Sequence, residues 1–197
     1  MKINKNIIEN EFPKCMELII QILKAIGDDP GREGLKDTPY RVVKSWKELF
    51  EGYKQNPKEI LSAVFEDGMN VMTDEIVMCK NIPFFSMCEH HMLPFSGVAH
   101  IGYLPSKKVV GLSKLARLVD CFGRRLQIQE KMTSQIADSL MENLQPQGVG
   151  VIIEAQHLCM QCRGVKKTGS VMVTSAMRGK FKSQSVTRSE FLSLIKD

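Results

Sequence analysis

From residue 12 the apolar positions recur at helical spacing. Cys15, Leu18, Ile19, Ile22, Leu23 and Ile26 form one stripe that stops before Gly27, and Pro13 suits a first turn. After the polar connection DDPGREGLKD a second helix is predicted, with Thr38 as cap and Pro39 at its first position. Its inward residues are Val42, Val43, Trp46, Leu49 and Phe50, and Gly52 is placed to end it. At about 100° per residue Lys44 points roughly 160° from the centre of that stripe, where a solvated lysine is expected. From about residue 75 the period changes to that of strands. EIVMCKNIPFF and FSGVAHIGYL flank the segment SMCEHHMLP. A helix follows with Ser113 as cap and Leu115, Leu118, Val119 and Phe122 inward; another carries Met132, Ile136, Leu140 and Leu144 before Pro146. GVGVIIEAQHLCM is the clearest strand and TGSVMVTSAM its partner. Thr187 and Glu190 have the spacing of a capping box for a last short helix with Phe191, Leu192 and Ile195.

This order predicts an α+β fold with a four-stranded antiparallel sheet. Such a sheet has two open edges, which neighbouring copies of the chain could cover, so oligomerisation is expected.

Composition narrows the setting. With 197 residues, 43% hydrophobic and 25% charged, the chain suits a single core. No apolar run reaches membrane-spanning length, and MKINKNIIENEF lacks the apolar stretch of a signal peptide, so a cytoplasmic protein is expected. The six cysteines are scattered and read as core thiols and metal ligands rather than a disulfide framework. A net charge of +5 favours anionic ligands without requiring nucleic acid.

Two clusters carry chemistry. Cys88-Glu89-His90-His91 sets a thiolate and an imidazole three positions apart, a spacing that a tight turn can close on one ion. This donor pair suits zinc better than magnesium or calcium. Read as a continuous strand, GVGVIIEAQHLCM puts His157 and Cys159 on one face about 7 Å apart, one able to bind metal and the other to handle a proton. Cys162 offers an alternative, a closed Cys3His structural site of Cys88, His91, Cys159 and Cys162. Against it, the two pairs lie much farther apart than the roughly 12–20 residues of small zinc modules. The second cluster, GLSKLAR, joins a helix start to Lys114 and Arg117 on one helical face, which suits phosphate. Arg163 adds a base beyond Cys159. The pairs Lys107/Lys108, Arg124/Arg125 and Lys166/Lys167 read as solvated surface.

Taken together, GLKDTPYRVVKSW, FFSMCEHHMLPFSG, GYLPSKKVVGLSKLARLVD, RRLQIQEKMTSQIA, EAQHLCMQCRG and TRSEFL resemble GTP cyclohydrolase I of the zinc-dependent type, in the family's order over about residues 30–195. The resemblance implies the tunnelling fold for residues 71–197, with residues 1–70 as an N-terminal helical extension, and a homodecamer with sites at subunit interfaces. It implies hydrolysis of GTP to formate and 7,8-dihydroneopterin triphosphate, the first step of pterin and folate biosynthesis. Cys88, His91 and Cys159 would hold Zn2+, which would lower the pKa of a water for attack on C8. His157 would donate a proton to the opening imidazole ring, with His90 assisting. Glu130 would accept the guanine N–H groups, beside Gln129 and the Leu112 backbone. Lys44, Ser113, Lys114, Arg117 and Arg163 would bind the triphosphate, Ser113 also acting on the ribose, which overturns the solvated reading of Lys44. The chain departs from the family at Cys162, where a cysteine is unusual.

Two rival readings remain. A nitrile reductase of the same fold would need a cysteine nucleophile and a nicotinamide, not a triphosphate cluster. A structural-zinc nucleic-acid binder would need more positive charge and an aromatic-rich basic stripe.

Overall fold

The computed structural model describes residues 11–62, 64–65, 75–106 and 108–196. The expected boundary near residue 70, the N-terminal segment before residue 11 and Lys107 lie outside them. The elements in chain order are α1 (Phe12–Ala25), α2 (Thr38–Leu49), a 3-10 turn (Glu51–Lys54), α3 (Pro57–Ile60), β1 (Val64–Phe65), β2 (Val77–Cys88), β3 (Pro94–Leu104), β4 (Val109–Val110) and α4 (Leu112–Gly123). Then come β5 (Leu126–Gln127), α5 (Gln129–Leu144), β6 (Gly148–His157), α6 (Leu158–Gln161), β7 (Met172–Gly179), α7 (Lys180–Ser183) and α8 (Ser185–Lys196). None of the described helices is long and apolar enough to cross a membrane.

The fold is mixed α+β. The four predicted strands pair antiparallel in the order β2-β3-β6-β7, but the sheet has five strands. The added one, β5, runs parallel to the end of β2, pairing Leu126 with Met87 and Gln127 with Cys88. Two residues carry no periodicity, so no pattern could announce it. A separate antiparallel pair joins β1 and β4.

Alternation decides which face β2 buries. Ile82, Phe84, Ser86 and Cys88 of β2 are buried while Pro83 and Phe85 face out, as a half-buried strand requires. Above that face lie α4 and α5, whose Leu115, Leu118, Met132, Ile136 and Leu140 are essentially inaccessible. Each such side chain contributes about 1.5–3 kcal/mol over its exposed state. On the other face Leu104 and Ile152 pack under Phe181 and Phe191 of α7 and α8.

Several local expectations are corrected. Asp37, not Thr38, precedes α2, and Gly111, not Ser113, precedes α4; Ser113 sits inside the first turn. The Thr187 hydroxyl bonds to Gln184 Oε1 and α8 already begins at Ser185, so no capping box opens it. Phe191 is buried but Leu192 is 38% exposed. In α1 only Ile19 and Leu23 are buried against Val43 of α2, whereas Leu18, Ile22 and Ile26 are 53–71% exposed, because a single helix covers that stripe within the chain. Gly52 lies in the 3-10 turn rather than at the end of α2. Its N–H donates to Arg124 O, and an added Cβ would lie 2.7 Å from that same oxygen, so glycine permits the turn to dock on α4.

Candidate metal centre and the polar cluster around it

The sheet delivers the donors to one of its ends. Cys88 is the last residue of β2, and its N–H donates to Leu93 O while Met92 N–H donates to Cys88 O, closing a four-residue turn over 89–92. Met92 occupies the left-handed region at φ 51°. The turn is pinned from outside by Glu89 N–H on Gln127 O and by the Lys131–Glu89 ion pair at 3.6 Å. Two strands away, β6 ends at His157, so Cys159 lies in the single turn of α6 rather than on the strand expected for it. That turn brings its thiol back over the hairpin. The ligand atoms of Cys88, His91 and Cys159 all lie within 4.8 Å of one another.

This arrangement fits a metal ion. Cys88 Sγ and His91 Nδ1 are 3.9 Å apart. A tetrahedral zinc with bonds of about 2.3 Å to sulfur and 2.0–2.1 Å to nitrogen would separate such atoms by about 3.6 Å. Burial pushes the Cys159 thiol up, and the charge and hydrogen bond of Cys88 push the same way, against the Arg163 cation. Cys162 is exposed and does not join the trio, so the closed Cys3His arrangement is not formed among the described residues.

Beside the trio lies His157, stacked on Phe95 at 4.5 Å with the rings 3° from parallel, because β3 and β6 place the two residues opposite each other. Its Nε2 is 2.9 Å from Gln129 Oε1. Gln129 is 1% exposed, and its amide nitrogen donates to Ile153 O, Met172 O and Thr174 Oγ1. Three acceptors around that nitrogen fix the amide orientation, so Oε1 accepts and His157 Nε2 carries the proton. Burial holds the His157 pKa below its ordinary value, with the Glu130 carboxylate opposing. His90 is exposed, its Nδ1 4.0 Å from Cys88 Sγ. Arg163 Nη1 donates to His91 Nε2 at 2.8 Å.

The remaining expected residues lie elsewhere on the chain. Leu112, Ser113, Lys114 and Arg117 occupy the first turns of α4; Leu112 is 68% exposed. Lys44 is exposed on α2, its Nζ 5.7 Å from the Tyr40 ring. Among the described residues none of these five makes a hydrogen bond or ion pair with the trio, His157 or Gln129. Sequence reasoning missed the Phe95 stack, the Glu89–Lys131 brace and the Thr133–Thr174 hydroxyl pair (2.7 Å) behind Gln129. The stack follows from strand register and the other two from how the helix Gln129–Leu144 packs on the turn and on β7, which no local pattern discloses.

Comparison with known proteins decides the family. A model of GTP cyclohydrolase I matches residues 15–196. The chain belongs to the GTP cyclohydrolase I family. Its relatives named GTP cyclohydrolase 1 include that of Wolinella succinogenes, 63% identical over 91% of this chain and 95% of the relative. That of Halalkalibacterium halodurans is 53% identical over 94% and 97%, and that of Campylobacter jejuni 53% identical over 95% and 96%. The expectation of a GTP cyclohydrolase, drawn from the motifs, therefore stands. Cys88, His91 and Cys159 form a group that could hold a metal ion.

Proposed function

We infer that this chain catalyses the GTP cyclohydrolase I reaction with Cys88, His91 and Cys159 as its zinc centre. The reaction opens the purine ring of GTP at C8, releases formate and forms 7,8-dihydroneopterin triphosphate at the start of pterin and folate biosynthesis. The observation that carries the reading is two thiols and an imidazole within 4.8 Å at one sheet end, in a chain of this family. Zinc held there supplies Lewis acidity, making water a nucleophile near neutral pH.

The chain's own residues do the rest. His157 lies beside the trio and passes a proton to the imidazole portion of the base as it opens, and burial favours its return to the neutral form. Gln129 and Phe95 hold that ring in place. His90 assists proton transfer from the open side. Glu130, exposed at the start of α5 and close enough to influence His157, accepts the guanine N–H groups beside the Leu112 backbone, and Gln129 floors that pocket through His157. Lys44, Ser113, Lys114, Arg117 and Arg163 bind the triphosphate, and Ser113 also acts on the ribose.

A complete site needs more than one copy of the chain. Lys44 and the α4 cluster, which make no hydrogen bond or ion pair with the trio among the described residues, serve the site of a neighbouring copy in a homo-oligomer, a decamer with sites shared between subunits. The exposed Leu18, Ile22 and Ile26 and the β7 edge, with Val173 60% exposed, give it surface to bury. In this reading residues 71–197 form a tunnelling-fold unit, residues 1–70 a helical extension, and the enzyme works in the cytoplasm. Formate release from GTP by purified protein, with and without a zinc chelator, is the test. Loss with the chelator, and loss of both zinc and formate in Cys88→Ser, His91→Ala and Cys159→Ser, is expected. Full turnover by a zinc-free variant would refute the metal assignment.

A further inference from the structure

All six cysteines carry free thiols, and Cys162 is the exposed one. It stands three residues after Cys159, across the single turn of α6. Its own backbone is still helical, at φ −84° and ψ −14°, and its N–H donates to Leu158 O at 3.0 Å. A rise of about 1.5 Å and a turn of about 100° per residue put Cα atoms three apart on a helix about 5 Å from each other. That lies inside the range of about 4.4–6.8 Å that a disulfide spans. The Cβ atoms begin about 5–6 Å apart and must come within about 4.5 Å, so the turn has to tighten by about 1 Å. The chain can follow on the C-terminal side, where residues 162–171 are exposed throughout.

Exposure divides the labour between the thiols. Cys88 is 5% exposed, and Cys121 is buried with Arg125 Nη2 donating to its Sγ at 3.2 Å, so a dissolved oxidant meets Cys162 before either. Cys15 and Cys79 lie on α1 and β2. Cys159, half-buried against the core, is the thiol on the same turn as Cys162. We propose that Cys159 and Cys162 form a redox-active dithiol, a modification site for hydrogen peroxide, whose oxidation withdraws Cys159 from the metal centre. The proposal rests on the zinc reading of Cys159 and adds to it a reversible off-state. In the first step the Cys162 sulfur takes one peroxide oxygen: an S–O bond forms, the O–O bond breaks, and departing water leaves a sulfenic acid behind. The Cys159 sulfur then attacks Cys162 Sγ, the S–O bond breaks, and a second water departs as the disulfide forms. Two thiols thereby give up two electrons and two protons, and one peroxide becomes two waters. The thiolate is the ligand form of cysteine, so the oxidised pair leaves only Cys88 and His91 of the trio to hold a metal. A dithiol reductant restores both thiols. Cys159 oxidised as far as the sulfinic acid would not return, and Cys162 guards against that by closing the disulfide first.

The test uses the full chain, reduced and loaded with zinc, its zinc content measured before peroxide is added. Hydrogen peroxide is then titrated in while a chromophoric chelator reads released zinc. Remaining thiols are alkylated and the tryptic peptides are weighed. Cleavage after Lys131 and Arg163 leaves Cys159 and Cys162 on one peptide and Cys88 on another. In the wild type the Cys159–Cys162 peptide should become lighter by two hydrogens and escape alkylation, with zinc released in proportion. A dithiol reductant and fresh zinc should restore both zinc binding and formate release. Cys162→Ser, with unchanged basal formate release, should keep its zinc over the same exposure. A cross-link between the Cys88 and Cys159 peptides in the wild type, or equal zinc loss from Cys162→Ser, would overturn the proposal. So would a Cys159–Cys162 disulfide that forms without zinc leaving, or zinc loss with no disulfide at all. A reduced wild type that holds no zinc before peroxide is added would instead bring down the zinc reading itself, and the off-state with it.

Discussion

Gln129 offers the sharpest test of how the site is held together. Its replacement by leucine keeps roughly the volume of a residue that is 1% exposed and removes both N–H donors, which the Ile153 O, Met172 O and Thr174 Oγ1 acceptors share, and the Oε1 that accepts from His157. Not all four partners are stranded. Thr174 Oγ1 retains Thr133 Oγ1 at 2.7 Å, and Ile153 sits in mid-strand between two neighbours. Met172 O and the His157 Nε2–H lose the most. Each of these two orphaned polar groups costs about 1–3 kcal/mol, and the added apolar burial returns about 1, so a net loss of roughly 1–5 kcal/mol is expected. Against a typical stability of about 5–15 kcal/mol this is a large fraction. Urea unfolding at equal protein concentration measures it, the concentration being fixed because oligomers are stabilised by mass action. Nitrogen NMR on histidine-labelled protein should find His157 in its Nε2–H form in the wild type and a mixture of tautomers in Gln129→Leu, with formate release reduced at least ten-fold. A stability change below about 0.5 kcal/mol, or an Nδ1–H tautomer in the wild type, would refute the reasoning.

His100 is 3% exposed on β3, and burial, with a smaller contribution from Lys80, holds its pKa below the ordinary value while Glu154 opposes. The unfolded chain then binds more protons than the folded one below about pH 6.5, so the stabilisation is complete above that value and is lost as pH falls toward the folded pKa. His100→Asn should flatten this acid loss in a stability profile from pH 8 to 5; an unchanged slope would contradict the assignment. At Gly97 an added Cβ would overlap Glu154 O and lie 2.7 Å from Ala155 Cα on β6. Gly97→Ala should therefore cost more than about 3 kcal/mol or prevent folding, and a variant with wild-type unfolding would show that β3 and β6 can separate there.

Much of this was legible in the chain. The 3.6-residue stripes of α4 and α5 and the alternation of β2 lie in the sequence, because burial on one face leaves its period there, whereas β3 and β6 are buried on both faces over much of their length. CEHH could be read as two donors on one turn, since the spacing of Cys88 and His91 is local. The motifs named the family. Other features depended on what packs against what. The apolar stripe of α1 is real, but only Ile19 and Leu23 find cover within the chain. HLCM alternates like a strand, yet β6 stops at His157 and Cys159 reaches the metal site from a helical turn.

Local periodicity thus determined which residues face inward, since it is a property of consecutive backbone geometry. Tertiary structure decided which distant residues meet. Cys159 faces Cys88 because β3 stands between β2 and β6 in a register that sets Phe95 opposite His157, and that register is chosen by the whole sheet. The bond from Arg163 to His91 joins two loops, and neither segment carries a trace of the other.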